Sequence, residues 1–495
     1  MIIRKPCGGR LPAGIMAAIA MVVWLTASAA AQPGTGAFRE DRILVKPKAG
    51  IDLAALTNFH QARQSDVLRT FDRIGHLQVL CVPRGETVPG LIARYQKSGL
   101  VEFAEPDYLG HVFNTTPNDP KYLDGTLWGL NNTGQGGGTA DADIDAPEGW
   151  DVLTSASNIV VAVLDTGVRY THEDLAANMW VNPHDGGHGW NTFTQTSDPA
   201  DDNGHGTGVA GVLGAAGNNG KGVVGVAWRV QIMACKCFNN FGIGSVSDVV
   251  TCLDYARTNG ARLINASWGF TNSLALSNAI ASLRDAGIIV VAACGNSTTN
   301  IDLAPTYPAS YALDNVVTVA SLTRSNTLAT SSNFGADAVD LAAPGENIYS
   351  TFAATDSFYI NQSGTSFAAP YVTGACALLL AQFPADTHQT TISRLLSSTA
   401  PVPALAGKCR TGGCLKLAKV LRTIRLAAAP AASGAPFQVR VSGGLNRICV
   451  VETATNLTGW LPIFTNTTSA DGTFVFTDDQ STNLLQRFYR ATANP

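Results

Sequence analysis

Three residues, far apart in the chain, have side chains suited to acyl-transfer chemistry and neighbours that would present them. Asp165 follows the apolar run Ile159–Leu164 and precedes Thr166-Gly167. His205 lies in Asp-Asn-Gly-His-Gly-Thr-Gly, where the glycines let another backbone approach closely. Ser366 lies in Gln-Ser-Gly-Thr-Ser-Phe-Ala-Ala-Pro, a turn opening a helix expected to run to about Ala381. A hydroxyl there sits beside unpaired N–H groups and the positive end of a helix dipole, which favour developing negative charge. A serine activated by a histidine, with an aspartate orienting the histidine, is a nucleophilic machine. Taken singly, each residue has an ordinary role: a turn-forming Asp, a hydrogen-bonding surface His, an N-cap Ser. Only the combination carries chemistry.

Two rival arrangements fail on the sequence. Asp165-Thr-Gly could belong to a pair of aspartates sharing a proton, but a second Asp-Thr/Ser-Gly is missing. A nucleophile elbow wants Gly-x-Ser-x-Gly with the order Ser, Asp, His. Here Gly364-Thr-Ser-Phe-Ala368 lacks the second glycine and the order is Asp, His, Ser.

Order and neighbours together resemble the subtilisin-like serine proteases, the subtilases. The resemblance rests on Val161-Ala-Val-Leu-Asp-Thr-Gly167, His205-Gly-Thr-Gly-Val-Ala-Gly211 and Gly364-Thr-Ser-Phe-Ala-Ala-Pro370. A fourth block, Ala292-Ala-Cys-Gly-Asn296, fits the segment supplying that family's oxyanion Asn, and the likeness runs from about Pro117 to Leu421. It implies catalysis by Asp165, His205 and Ser366, with Asn296 as an oxyanion donor. It further implies that Ser267, Trp268 and Gly269 form an edge for substrate backbone, with Ala293 and Gly295 on the opposite wall of the P1 pocket. Thr306, near the pocket base, implies a shallow pocket for medium apolar side chains. No carboxylate cluster suggests dibasic specificity.

The same resemblance implies a structural Ca²⁺ site at Asp174, Asn218 and Val223, where oxygen ligands would suit a hard cation. Lys221 in that loop is an unhelpful positive charge. Two departures stand out: Gly208 follows His205-Gly-Thr where relatives carry His, and Cys294 replaces a small residue beside the oxyanion segment. The first follows the catalytic block and leaves activity intact. The second is read as a packed thiol, with sensitivity to thiol reagents as the alternative.

The elements needed to position these residues are legible around them. From about 157 to 400, short β-branched runs alternate with small-residue helices: Ile159–Leu164, Val230–Ala234, Leu263–Ala266, Ile288–Ala292 and Val316–Ala320, with helical Ser245–Thr258 and Ser273–Ala286 between. Continuous apolar strands separated by helices imply a parallel sheet covered on both faces, with its crevice at the carboxyl ends of the strands. The expected fold is therefore α/β, a subtilisin-like mostly parallel sheet with helices on both faces. An α+β propeptide precedes it and a small all-β, sandwich-like module follows it.

The 495 residues divide accordingly. Residues 1–31 have a basic head, an apolar core from Ile15 to Leu25 and the small run Ala27-Ser-Ala-Ala-Ala31, the pattern of a secretory signal peptide. An uncleaved anchor is the alternative, and after cleavage no stable membrane span is expected. Residues 37–112 read as α+β, with a strand at Arg42–Pro47, a helix at Leu53–Ala62, a strand at Leu77–Val82, a helix at Val88–Lys97 and a strand start at Val101–Phe103. By resemblance this is an inhibitory propeptide released by self-cleavage within Leu109–Pro117. The catalytic domain spans 117–425 and a linker 426–436. The β module, 437–495, has strands at Phe437–Val441, Arg447–Glu452, Trp460–Phe464 and Thr473–Thr477.

Lys plus Arg number 33 against 37 Asp plus Glu, with no basic excess to suggest nucleic acid. The expected partners are protein or peptide substrates and the chain's own propeptide, and the expected location is secreted or extracytoplasmic. Export permits disulfides. Of ten cysteines, Cys7 and Cys81 lie in segments expected to be removed. Cys409 and Cys414 bracket a loop that could close on itself, and the other six have no assignable partner. The rival function is a binding or adhesion protein acting through its C-terminal module.

Overall fold

Alternating burial over 42–47 of the strand Phe38–Pro47, with Ile43 and Val45 inward, is the pattern of a strand covered on one face. In the computed structural model, residues 38–108, 115–429, 436–444, 448–455, 459–469, 472–481 and 486–493 are described. The expected signal peptide and positions 109–114 lie outside them. Two units are distinguished, one ending at Phe113 and one beginning at Asn114.

In the first unit an antiparallel sheet has the order Val67–Phe71, Leu77–Cys81, Phe38–Pro47, Val101–Tyr108. Helices Leu53–Ala62 and Val88–Lys97 contribute Leu56, Leu91 and Tyr95 to a core shared with Ile43, Val45 and Leu80. Both helices fall where the sequence places them, each begun by an N-cap side chain, Asp52 and Thr87.

The second unit is built on a nine-stranded sheet. Its order is Ala400–Pro401, Gly413–Cys414, Leu341–Pro344, Val316–Leu322, Ile289–Ala293, Leu263–Ala266, Ser155–Asp165, Arg229–Lys236, Gly189–Asn191. All neighbours run parallel except the edge pair Ala400–Pro401 and Gly413–Cys414. The chain leaves Ser155–Asp165 to one side for Arg229–Lys236 and returns on the other side as Leu263–Ala266. Strand order thus reverses at the strand that ends in Asp165, which opens a crevice at its carboxyl end.

Helices cover both faces. Val246–Thr258, begun by a Ser245–Asp248 capping box, and Leu274–Asp285 pack on one face. His205–Gly214 and Thr365–Gln382 pack on the other. The second of these is buried along nearly its whole length, which explains its uniformly apolar, small-residue sequence.

The C-terminal module holds two three-stranded sheets, Arg425–Ala428, Phe437–Ser442, Thr473–Asp478 and Leu461–Thr467, Ile448–Ala454, Phe488–Ala493. Both contribute to one small core around Val441, Cys449 and Val451. Its first strand runs into the stretch read as a linker: Arg425–Ala428 pairs with Val439–Ser442. Short alanine runs carry no alternation by which to see a strand. Arg394, buried in helix His388–Ser397 and held by Asp386 and the Thr423 carbonyl, reaches the module at Ser442 Oγ. Among the described residues no helix is long and apolar enough to cross a membrane.

Candidate active site

Asp165 ends the central strand, and His205 is the first residue of its helix. The imidazole Nδ1 lies 2.8 Å from Asp165 Oδ1, which also accepts the Thr166 N–H at 2.7 Å. The approach depends on Gly206: a Cβ there would stand 2.2 Å from the Gly167 carbonyl and 2.9 Å from Asp165 Cβ. Burial disfavours protonation of His205. The charge and hydrogen bond of Asp165, with the charge of Asp201 behind them, outweigh it and hold the imidazole above its ordinary pKa.

Ser366 sits in the first turn of the buried helix, 8% exposed, with Gly364 at the N-cap in a positive-φ conformation. Its Oγ donates to the Ser267 carbonyl at 3.2 Å, and Ser267 Oγ donates back to the Ser366 carbonyl at 2.9 Å. That second bond has a cause in the sequence. Pro370 is the residue whose N–H would meet the Ser366 carbonyl in an unbroken helix, and proline has none. Phe367 lies edge-on to His205, ring centroids 5.5 Å apart.

Asn296 Oδ1 accepts the Thr365 N–H at 2.8 Å and the Thr365 hydroxyl at 3.0 Å, which fixes the amide. Its Nδ2 faces the Gly364 turn, 3.1 Å from where a Cβ at Gly364 would lie. A cleft of about 400 Å³ is lined by Asp165, His205, Asn203, Phe238 and Ser267-Trp268-Gly269. Ala293 ends the neighbouring buried strand. Thr306 stands between two walls: its Oγ1 is 2.9 Å from a Cβ built on Gly269, and its Cγ2 is 3.8 Å from one built on Gly295.

Gly208 leaves room that Gln362 occupies, the amide nitrogen 2.1 Å from where a Cβ would be. Cys294 is buried, its thiol donating to the Asn333 carbonyl at 3.1 Å, and burial pushes its pKa up to about 12. This is a packed thiol. Cys235, Cys237, Cys252, Cys376, Cys409 and Cys414 are likewise buried free thiols, so the Cys409–Cys414 loop is not closed by a bond.

Around Asp174 the structure differs from the expected ligand set. Asp174 and Asp119 are both fully buried, and the raised pKa of Asp119 comes first from burial, with the charge of Asp174 contributing. Asp174 accepts from Asn219 Nδ2 at 2.9 Å, the Val223 N–H at 2.8 Å and the Tyr359 hydroxyl at 2.8 Å. Asn218, expected to face Asp174, instead accepts the Asn118 N–H at 3.2 Å. Asp119 and Tyr359 have no local signal in the sequence because they meet Asp174 only through tertiary packing, whereas Asn219 adjoins the expected Asn218 in the same loop. Lys221 turns toward Glu173 at 3.7 Å, on the exposed side. A second acidic group, Asp141, Asp143 and Asp145, closes around Lys416, whose Nζ is 2.5 Å from Asp145 Oδ1. There the lysine already supplies the cation.

Comparison with known proteins places the chain in a family. The subtilase (peptidase S8) family model matches residues 156–437, and the fervidolysin N-terminal prodomain model matches 25–107. A thermophilic serine proteinase from Bacillus sp. (strain AK1) is 37% identical over 298 residues, covering 60% of this chain and 67% of the relative. Thermitase from Thermoactinomyces vulgaris is 36% identical over 268 residues, covering 54% and 86%. A solved protease from Pseudoalteromonas arctica superposes with a TM-score of 0.52 at 31% identity, covering 62% of this chain and 98% of that one. The chain belongs to the subtilase family of serine endopeptidases, and an N-terminal prodomain precedes its catalytic domain.

Proposed function

We propose that the protein is an exported serine endopeptidase made as a self-processing zymogen, with Asp165, His205 and Ser366 as its triad and Asn296 as an oxyanion donor. The observation that carries this reading is the 2.8 Å bond between His205 and Asp165 in a cleft lined also by Ser267, whose carbonyl Ser366 Oγ meets at 3.2 Å from a helix N-terminus.

A turn about its Cα–Cβ bond swings Ser366 Oγ from the Ser267 carbonyl to His205 Nε2; such bonds are often slack without substrate. Oγ then attacks the scissile carbonyl and its proton passes to His205. Asp165 orients the ring and stabilises the imidazolium. The oxyanion receives hydrogen bonds from Asn296 Nδ2 and the Ser366 N–H, which precedes the intrahelical ladder. Collapse expels the amine, which takes the proton from His205. Water, deprotonated by His205, then releases the acyl group and restores Ser366.

Ser267, Trp268 and Gly269 would pair with substrate backbone, while Ala293 and Gly295 wall the P1 pocket. Thr306, wedged between Gly269 and Gly295, supports a shallow pocket, so amide substrates with Leu or Ala at P1 should exceed Phe or Tyr analogues in kcat/KM. The reverse order would overturn that assignment.

Two buried carboxylates, Asp119 and Asp174, near enough that the charge of Asp174 adds to the raised pKa of Asp119, suit a divalent cation. Asp174, the Asn218–Asn219 turn and carbonyls up to Val223 would hold Ca²⁺ there. The ion would neutralise the pair and brace the loop, with no part in the chemistry. A chelator should lower the thermal midpoint; an unchanged midpoint would rule out a stabilising calcium.

Full-length Ser366→Ala tests the central reading. It should hydrolyse no peptide and should accumulate a precursor retaining residues 37–112. Normal maturation would assign the cut to another protease, and retained hydrolysis would refute the triad.

A further inference from the structure

Asp201 stands four residues ahead of His205, and the triad leaves it without a role. Its two oxygens accept five hydrogen bonds. Oδ1 takes the Thr166 hydroxyl at 2.9 Å and the N–H groups of Asn203 and Gly204 at 3.0 and 2.9 Å. Oδ2 takes the Thr207 N–H at 3.0 Å and its hydroxyl at 2.6 Å. Thr166 adjoins Asp165, and Thr207 lies in the first turn of the His205 helix. The Thr166 oxygen in turn accepts the Gly206 N–H at 3.0 Å. One carboxylate therefore joins the turn that carries the acid to the helix that carries the base.

Local chemistry explains why an acid stands there. The N-cap of that helix is Gly204, which has no side chain to cap with. Asp201 provides the missing acceptor from outside, and its charge complements the helix dipole. The other charged groups near the imidazole are accounted for. Asp165 is its direct partner. Lys236 is buried behind, donating to Asp202 and to the Thr166 and Phe238 carbonyls. The Ser366 helix presents Phe367 to the ring.

We propose that Asp201 is a positioning residue of the triad: by tying Thr166 to Thr207 it sets the approach of His205 to Asp165, and its charge supports the imidazolium formed during acyl transfer. The inference rests on the triad reading. A small misplacement of catalytic groups is costly in rate, so removing the tie should show in kcat rather than in KM.

The experiment uses the full chain after processing, with two readouts across pH: hydrolysis of a peptide amide, and the rate at which a fluorophosphonate labels Ser366. Asp201→Asn keeps the shape and removes the charge. It should lower kcat and the labelling rate about tenfold with KM changed less than about twofold. It should also move the acid limb of both profiles to lower pH, because the imidazole loses a neighbouring negative charge. Thr166→Val removes the hydroxyl's two hydrogen bonds, to Asp201 and from the Gly206 N–H, and keeps the charge, so kcat should fall while the acid limb stays in place. A lower melting temperature with unchanged kcat and acid limb in Asp201→Asn would make the residue merely structural and overturn the proposal. If that variant does not fold, Thr166→Val decides, and an unchanged kcat overturns it. Absence of labelling in the unmodified protein would refute the triad itself, a separate failure.

Discussion

Two helices begin side by side, Phe367 of one against His205 of the other, and their N-termini are finished differently. The His205 helix is closed by a carboxylate: Asp201 accepts from Gly204 and Thr207 and uses the dipole on an internal anion. The Ser366 helix has no acid in its first turn, and a neutral amide, Asn296 Oδ1, takes the Thr365 N–H. The first arrangement fixes a side chain in place. The second leaves the positive end of a dipole and an amide N–H to act on charge that develops only during reaction. In the proposed mechanism one terminus positions and the other reacts.

Substitutions should separate the two ends by size of effect. At the reacting end, Ser366→Ala should lower kcat by about 10⁶-fold, a magnitude known for the corresponding serine of subtilisin, a relative. Asn296→Ala should cost about 10²–10³-fold in kcat with little change in KM, again a scale set by subtilisin. At the positioning end, Asp201→Asn should cost about tenfold. Equal losses at Asn296 and Asp201 would erase the distinction.

A pH profile sharpens it further. As the proposed base, His205 must be neutral to accept the Ser366 proton, and its pKa is held above the usual 6.5. Hydrolysis should therefore fall away as pH drops through a midpoint above that value. A midpoint below it would mean that burial, not the two carboxylates, governs the imidazole. The smallest effect is expected at Cys294: with its thiol buried and its pKa pushed up to about 12, brief treatment of the folded enzyme with iodoacetamide should leave kcat unchanged. Loss of activity would place that thiol in the working cleft.

Features with local signals are legible in the sequence. Asp165 at a strand end, His205 among glycines and Ser366 ahead of a buried helix each have neighbours that announce their element. Long β-branched runs and capped helices such as Ser245–Thr258 stand out in the same way. Gly189–Asn191 and Leu341–Pro344 are too short to show a period. The residues that complete the site are hidden for another reason. Thr166 meets Asp201, Tyr359 meets Asp174 and Ser267 meets Ser366 only when distant segments pack. Loop spacing alone cannot say which of Asn218 and Asn219 faces Asp174.

Catalysis as proposed requires Ser366 to be a nucleophile activated by His205, and covalent labelling tests that most directly. A fluorophosphonate applied to the processed protein should modify Ser366 alone, as mapped by mass spectrometry of its peptides, and His205→Ala should abolish the reaction. Modification of another residue, or labelling indifferent to His205, would contradict it.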